Sequence, residues 1–418
     1  MVTRRAAEPG TTWAGTHTYA AANLYTPDTL DEARRIVAGS THIRALGSRH
    51  SFHDLADSPG DLISMDRLDP DLRIDAEART VTFGAAVRYG DLATALDEAG
   101  WALGAMASLP HISVAGATAT ATHGSGDRTG NLASAVVALE LITADGELLT
   151  LRRGDPDFPG AVVHLGALGV VTRITLALEP RYQVRQWVRR EVPWEDLLGD
   201  FDAITSAAQS VSVFTRFAEI AGRVWMKSRE ETEPDVPWGV RAAVEQHPID
   251  GLDPVNCTDQ LGRPGPWYDR LPHFRMGFTP SVGAEIQSEY LVPRAHAVAA
   301  ITAMRGLDEQ LAPVLQVSEI RTIAGDDLWL SSTEGGDRVA FHLTFAREPD
   351  AVRALLPRIE DALDPFDARP HWGKWFTTSP ERLAALYPRL GDFVDLAGRL
   401  DPHGCFRNDY LDRTVLPR

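Results

Sequence analysis

The chain has 418 residues, enough for about two or three domains, one of which can be built from separated segments. Its composition, 44% hydrophobic and 24% charged, is that of a globular protein and excludes a disordered, collagen-like or disulfide-stapled chain. With 41 Lys and Arg against 58 Asp and Glu, the formal charge is −17, a field that repels polyanions and excludes nucleic acid and anionic membrane as expected partners.

At the N-terminus, Arg4-Arg5 runs into Ala6-Ala7-Glu8-Pro9-Gly10 and not into the apolar stretch of an export signal, so the expected location is the cytoplasm. Leu30 to Val37 has helical periodicity, and His42 to Leu46 is a short strand broken by Gly47-Ser48. Strands are expected at Leu62 to Met65, Leu72 to Asp75 and Thr80 to Gly84, then a helix from Tyr89 to Ala99 stopped by Gly100. Val136 to Thr143 and Glu147 to Leu151 flank Asp145-Gly146, a dipeptide suited to a tight hairpin. Ile174 to Leu178 closes this region, and Glu179-Pro180 marks a boundary.

Beyond it, strands are expected at Val184 to Arg190, Val211 to Phe217 and Val224 to Lys227, with a surface loop over Arg229 to Pro237. Helices at Ala295 to Leu307 and Ala351 to Leu363 alternate with strands near Gln316 to Ile323 and Val339 to Phe345, and Pro380 to Leu400 reads as a last helical segment. Cys257 and Cys405 lack the spacing of a zinc site or redox dithiol and read as buried reduced thiols.

Five constellations can carry chemistry. The segment Arg44-Ala45-Leu46-Gly47-Ser48-Arg49-His50 ends a strand in a turn whose amides can nest a phosphate and which presents a histidine. Its bland reading is an ordinary turn with a surface His; with His53 and Asp54 nearby, a metal site is a third reading, without the ligand spacing one needs. From Ala99 to Gly126 the chain carries no Asp, Glu, Lys or Arg, yet Pro110, His111 and His123 rule out a membrane span. Its small residues leave main-chain N–H groups open to close approach, for which a diphosphate is a good acceptor, and the lack of lysine separates it from an ATP-binding loop. Taken alone, it could equally be a structural glycine-rich turn.

Glu319-Ile320-Arg321 and His342-Leu343-Thr344 each place two polar side chains on one face of a strand. A surface ion pair and a satisfied core histidine are the bland readings. Arg369-Pro370-His371-Trp372-Gly373-Lys374 reads alone as a loop with a snorkelling lysine.

Together, the Gly47-Ser48-Arg49-His50-Ser51 turn, the Ala115-Gly116 to Thr122-His123-Gly124 segment and Gly166-Ala167-Leu168-Gly169-Val170-Val171-Thr172 resemble the vanillyl-alcohol-oxidase-type FAD-binding fold. Within it, the chain resembles the alditol (xylitol) oxidases from about Trp13 to Asn408. The resemblance implies an α+β, two-domain (PCMH-type) FAD-binding fold with a mixed-sheet substrate domain. Residues 1–180 would bind FAD, 181–370 would bind substrate and cover the flavin, and 371–418 would return to the FAD domain. It implies a covalent bond from His50 to FAD, with further FAD contacts at Arg44, Ala45, Leu46, Gly47, Ser48, Arg49, Ser108, Ser113, Gly116, Thr120, Ala121, Thr122, His123, Val171 and His371. Ser108, Glu319, Arg321, Thr344 and Lys374 are then expected to bind substrate, with Arg321, Lys374, His342 and Glu319 catalytic and no metal.

The implied reaction takes the terminal CH2OH of xylitol, sorbitol or a similar polyol to the aldose, with hydride passing from C1 to flavin N5 and O2 reduced to H2O2. Arg321 and Lys374 would stabilise the developing alkoxide, and His342, with an ordinary pKa of about 6.5, would suit a base near neutrality. Small Ala107 would leave O2 a passage beside the flavin. A polyol and O2 are the expected partners of a monomer. The nearest rival is an aldonolactone oxidase or dehydrogenase of the same superfamily; others are a non-catalytic flavin- or polyol-binding protein and a metal hydrolase using His50, His53 and Asp54.

Overall fold

The computed structural model describes residues 8–277 and 285–417; Arg4-Arg5 lies outside them. In the first half, Asn23–Tyr25, Asp61–Ile63 and Ile43–Ala45 form a small parallel sheet. Beside it stands a five-stranded antiparallel sheet in the order Arg73–Asp75, Thr80–Gly84, Val170–Ala177, Val136–Ile142, Leu148–Arg152. The Asp145-Gly146 turn closes its last hairpin, with Gly146 at φ +82°, where a side chain would be strained. Val81, Phe83, Leu139, Leu141, Ile174 and Leu176 alternate onto one face of this sheet and pack against Leu92 and Leu96 of the helix Tyr89–Glu98. The same core takes in Leu383, Phe393 and Leu396, so the C-terminal segment returns to the first half.

The second half builds a nine-stranded sheet. Along its main path run Val240–Arg241, Gln183–Val192, Gly222–Ser228, Ser210–Thr215, Leu315–Ile323, Arg338–Ala346, Glu285–Pro293 and Arg369–Pro370. Every pairing in it is antiparallel. The mixture of strand directions expected here is therefore found between sheets, not within the large one.

Alternation along the central strands gives this sheet two different faces. Phe341, Leu343 and Phe345 point with Ile286, Tyr290 and Ile320 toward Ile301 and Met304 of the helix Ala297–Arg305 and Leu356 and Ile359 of Pro349–Leu363. His342, Thr344, Glu319, Arg321 and Glu289 lie on the opposite face.

Two readings need correction. Pro380 to Leu400 is two helices, Pro380–Leu386 and Leu390–Leu400, because Pro388 can neither donate into a continuing helix nor let Tyr387 stay helical. Inside the uncharged segment, Val114–Ala119 forms a short helix. Cys257 and Cys405 are buried and free. No helix among the described residues is long and apolar enough to cross a membrane.

Candidate functional site

Between the turns of the first half and the polar face of the large sheet lies a cleft of about 690 Å³. At one end is the turn that follows Ile43–Ala45. Arg49 is in the left-handed region (φ +64°), and the N–H groups of Gly47, Arg49, His50 and Ser51 have no protein acceptor among the described residues. A run of unpaired donors around a left-handed residue is an anion nest, so the turn fits a diphosphate. Ser113 locks it in place: its N–H donates to Ser48 Oγ over 2.9 Å, and Ser48 Oγ lies 3.1 Å from His50 Nδ1. A Cβ at either Gly47 or Gly116 would stand only 2.8 Å from Ser113 Oγ, so a side chain at either position would displace the serine that braces the turn.

The ring of His50 stacks on Trp13 at 5.4 Å. Burial pushes its pKa down to about 4 against the opposing hydrogen bond at Ser48, so the imidazole is neutral at pH 7. With Nδ1 engaged by Ser48, Nε2 has no protein partner among the described residues, the state a nucleophilic imidazole requires.

Ala45, Leu46, Thr120, Thr122, Val171 and His371 also line the cleft, as do Ser108, Arg44 and Ala107. Arg44 does so as a clip: its buried guanidinium donates to the carbonyls of Leu55, Leu165, Gly166 and Phe406, which fixes four chain segments around the cleft. Ala121 does not line it. Held at φ +53° and 1% exposed, its methyl packs into the core of the first half. His53 and Asp54 are likewise committed elsewhere. His53 Nε2 donates to Trp372 O, its Nδ1 accepts from Leu55 N, and Asp54 pairs with Arg413.

At the other end, Glu319, Arg321, His342, Thr344 and Lys374 converge, and the group that joins most of them is Glu289, which the sequence reading passed over. Register sets His342 opposite both Glu289 and Glu319 on the two neighbouring strands. Glu289 Oε2 takes a hydrogen bond from Lys374 Nζ at 2.5 Å, and Oε1 takes one from Arg321 Nη2 at 2.6 Å and lies 3.1 Å from His123 Nε2. Lys374 Nζ is also 2.6 Å from His342 Nδ1, whose Nε2 is 3.1 Å from Thr344 Oγ1. Lys374 thus turns inward, its side chain only 14% exposed, and does not snorkel to solvent, and the expected cation pair shares a counter-ion.

Charges this deep persist only when paired. Burial opposes ionisation of Glu289, but Lys374, His123 and Arg321 outweigh it and hold the carboxyl well below the usual range. Burial likewise opposes ionisation of Glu319, and Arg321 and His273 outweigh it. His342 is pushed down to about 4 by burial and by Lys374, so it is neutral and accepts from the ammonium. The ordinary pKa of a free histidine does not describe it.

Glu289 was missed because Glu285–Pro293 was not read as a strand. His273 and Lys227, behind Glu319, were missed because only a fold brings the 271–274 loop against the strand Leu315–Ile323. The two-residue alternation of Ile286, Ser288, Tyr290 and Val292 was the available signal.

A family model for an FAD binding domain matches residues 21–152, and one for D-arabinono-1,4-lactone oxidase matches residues 283–414. Alditol oxidase from Streptomyces sp. is 49% identical over 406 residues, covering 96% of this chain and 97% of that one. The chain belongs to the alditol oxidase family. It is also 29% identical to L-gulono-1,4-lactone dehydrogenase from Mycobacterium tuberculosis, over 97% of this chain and 98% of the other. Cholesterol oxidase from Brevibacterium sterolicum superposes with a TM-score of 0.81 at 15% identity, covering 98% of this chain and 96% of that one, a likeness of fold. For a member of the alditol oxidase family, the fold is the vanillyl-alcohol-oxidase type, and the cleft runs between the segment that matches the FAD-binding model and the large sheet.

Proposed function

We propose that this protein is an FAD-dependent alditol oxidase that converts the terminal CH2OH of xylitol, sorbitol or a similar polyol to the aldose while O2 becomes H2O2. One observation carries the reading: the donor-rich turn bearing His50 and the charged Glu319–Arg321–Glu289–Lys374–His342 cluster open onto the same cleft.

FAD bound there supplies the acceptor for the hydride of C1. Residues 8–180 and 371–417 form its seat, with Gly47 to Ser51 at the diphosphate and His50 as the covalent tether, and residues 181–370 form the substrate face. The chain's own groups do the rest. Lys374 has three N–H donors, of which Glu289 and His342 take two, leaving one for the reacting hydroxyl. As charge develops on that oxygen, the ammonium stabilises it, an effect amplified by burial. The hydroxyl proton can leave only by exchange at this contact: Nζ gives a proton to His342 Nδ1 and takes the hydroxyl proton in its place, so that His342 ends protonated and Lys374 keeps its charge. Glu319, Ser108 and Thr344 accept from or donate to further hydroxyls, which disfavours substrates lacking them. Ala107, beside them, keeps the wall small where O2 must approach.

A panel of alditols and aldonolactones, read by peroxide release and by anaerobic bleaching of the flavin, tests this. Turnover of alditols with lactones inert supports the reading, whereas turnover of lactones alone moves it to lactone oxidation. Bleaching without peroxide makes the protein a dehydrogenase, and no bleaching makes it a binding protein. For the tether, acid precipitation should leave wild-type pellets yellow and release the flavin of His50→Ala. A colourless wild-type pellet sinks the covalent bond.

A further inference from the structure

Beyond Glu319 and His273, on the same polar face of the large sheet but outside the cleft lining, lies a buried cation that the proposed mechanism does not use. Lys227, on the strand Gly222–Ser228, is 1% exposed. Its Nζ donates to the carbonyls of Leu271 at 2.6 Å and Pro272 at 2.9 Å, and lies 3.0 Å from His273 Nδ1. An ammonium carries three protons and no lone pair. Two go to the carbonyls, so the third points at His273 Nδ1, which must then be the acceptor nitrogen. A neutral imidazole whose Nδ1 accepts carries its proton on Nε2. Nε2 is 2.7 Å from Glu319 Oε1.

The ring cannot turn away from this task. Phe214 and Trp225 stand edge-on to it at 5.3 and 5.4 Å. Main-chain N–H groups of His273 and Phe274 meet Ser108 O at 3.2 and 3.4 Å, so the same short segment braces a second cleft residue. The one hydrogen bond to the Glu319 carboxylate among the described residues falls on Oε1, which is also the oxygen 3.6 Å from Arg321 Nε, and this leaves Oε2 for the cleft.

We propose that Lys227 is a positioning residue: by fixing the Nε2–H tautomer of His273, it holds Glu319 as an oriented carboxylate acceptor for a hydroxyl of the polyol. The proposal rests on the alditol reading for its substrate, but the tautomer stands apart from it. Its effect is on substrate binding, because Glu319 contacts a hydroxyl that does not react, in ground state and transition state alike.

The experiment uses the flavin-loaded enzyme at pH 6, since burial pushes the Lys227 pKa down to about 7. In protein carrying 15N-labelled histidine, the wild-type His273 signal should show a protonated Nε2 and a bare Nδ1, and Lys227→Met should lose that single tautomer. Lys227→Met and His273→Phe, the latter keeping an aromatic ring between Phe214 and Trp225, should raise KM for xylitol about tenfold or more with kcat within about threefold. His273→Gln can accept from Lys227 and donate to Glu319, and should stay within about threefold of wild type in KM. In a Glu319→Gln background, adding Lys227→Met should change KM less than about twofold.

A protonated Nδ1 in the wild type overturns the proposal, as does an unchanged KM in both Lys227→Met and His273→Phe. Should Lys227→Met fail to fold, the His273 pair carries the test. A wild-type enzyme that oxidises no alditol refutes the function reading, and the nitrogen spectrum still decides the tautomer.

Discussion

At Glu289, a single buried carboxylate serves two cations, with His123 3.1 Å away on the same side. Removing its charge while keeping its shape leaves Lys374 and Arg321 desolvated without a counter-ion between them. Glu289→Gln is therefore expected to destabilise the protein by about 3 kcal/mol or more, the scale at which breaking one side of a buried ion pair is felt. It should also slow anaerobic flavin reduction by xylitol at least about a hundredfold, because Lys374 then sheds its proton more readily and offers no positive charge to the alkoxide. Thermal unfolding and single-turnover reduction measure the two effects, and a variant with wild-type melting and rate would remove Glu289 from the centre of the site. In sequence, Gln287-Ser288-Glu289 is a polar run with no spacing that singles out its glutamate, whereas Glu319 and Arg321 could be singled out because their spacing alone puts them on one face. A residue that neighbours opposite charges only through strand pairing has no local signature.

Elements were legible where their own periodicity decides them and illegible where contact with another element does. Leu30–Ala38 and Tyr89–Glu98 carry their apolar stripe and stop signals in the chain, and Asp145-Gly146 dictates a hairpin. By contrast, the turn after Ile43–Ala45 keeps its shape through partners outside the local sequence, from Ser113 to Phe406. Arg44 is its fastening, a guanidinium spending the N–H groups of Nη1 and Nη2 on carbonyls from three other segments. Burial lowers its pKa to about 10 with Asp54 opposing, which still leaves it charged at neutral pH. Arg44→Met should thus cost about 3 kcal/mol through orphaned carbonyls and loosen the nest at Gly47 to Ser51. The visible result would be a lower melting temperature and a larger share of purified protein without flavin. Full flavin content with unchanged melting would show that the turn holds itself.

The whole molecule confines its histidines between layers, and this sets its response to acid. His53, His164, His273 and His342 are each pushed by burial to about 4, against about 6.5 in an unfolded chain. Between those two values the unfolded chain binds more protons than the folded one, so stability falls as pH falls through that window and is fully present above it. Each histidine adds a slope of up to about 1.4 kcal/mol per pH unit. Glu289 and Glu319 act in the same direction but lower down. Their folded values lie below the ordinary carboxylate range, so their contribution is present above about pH 4.5 and is lost only as pH falls further. Loss of stability on going from pH 7 to pH 5 is therefore mainly a histidine effect, expected as a marked fall in melting temperature before Glu289 or Glu319 titrates. Calorimetric scans at pH 7, 6 and 5 measure it, and the same scans on His164→Asn, which removes one titrating ring, should show a shallower decline. A melting temperature that holds steady from pH 7 to pH 5 would mean that these rings reach water or a proton partner that the layered packing denies them.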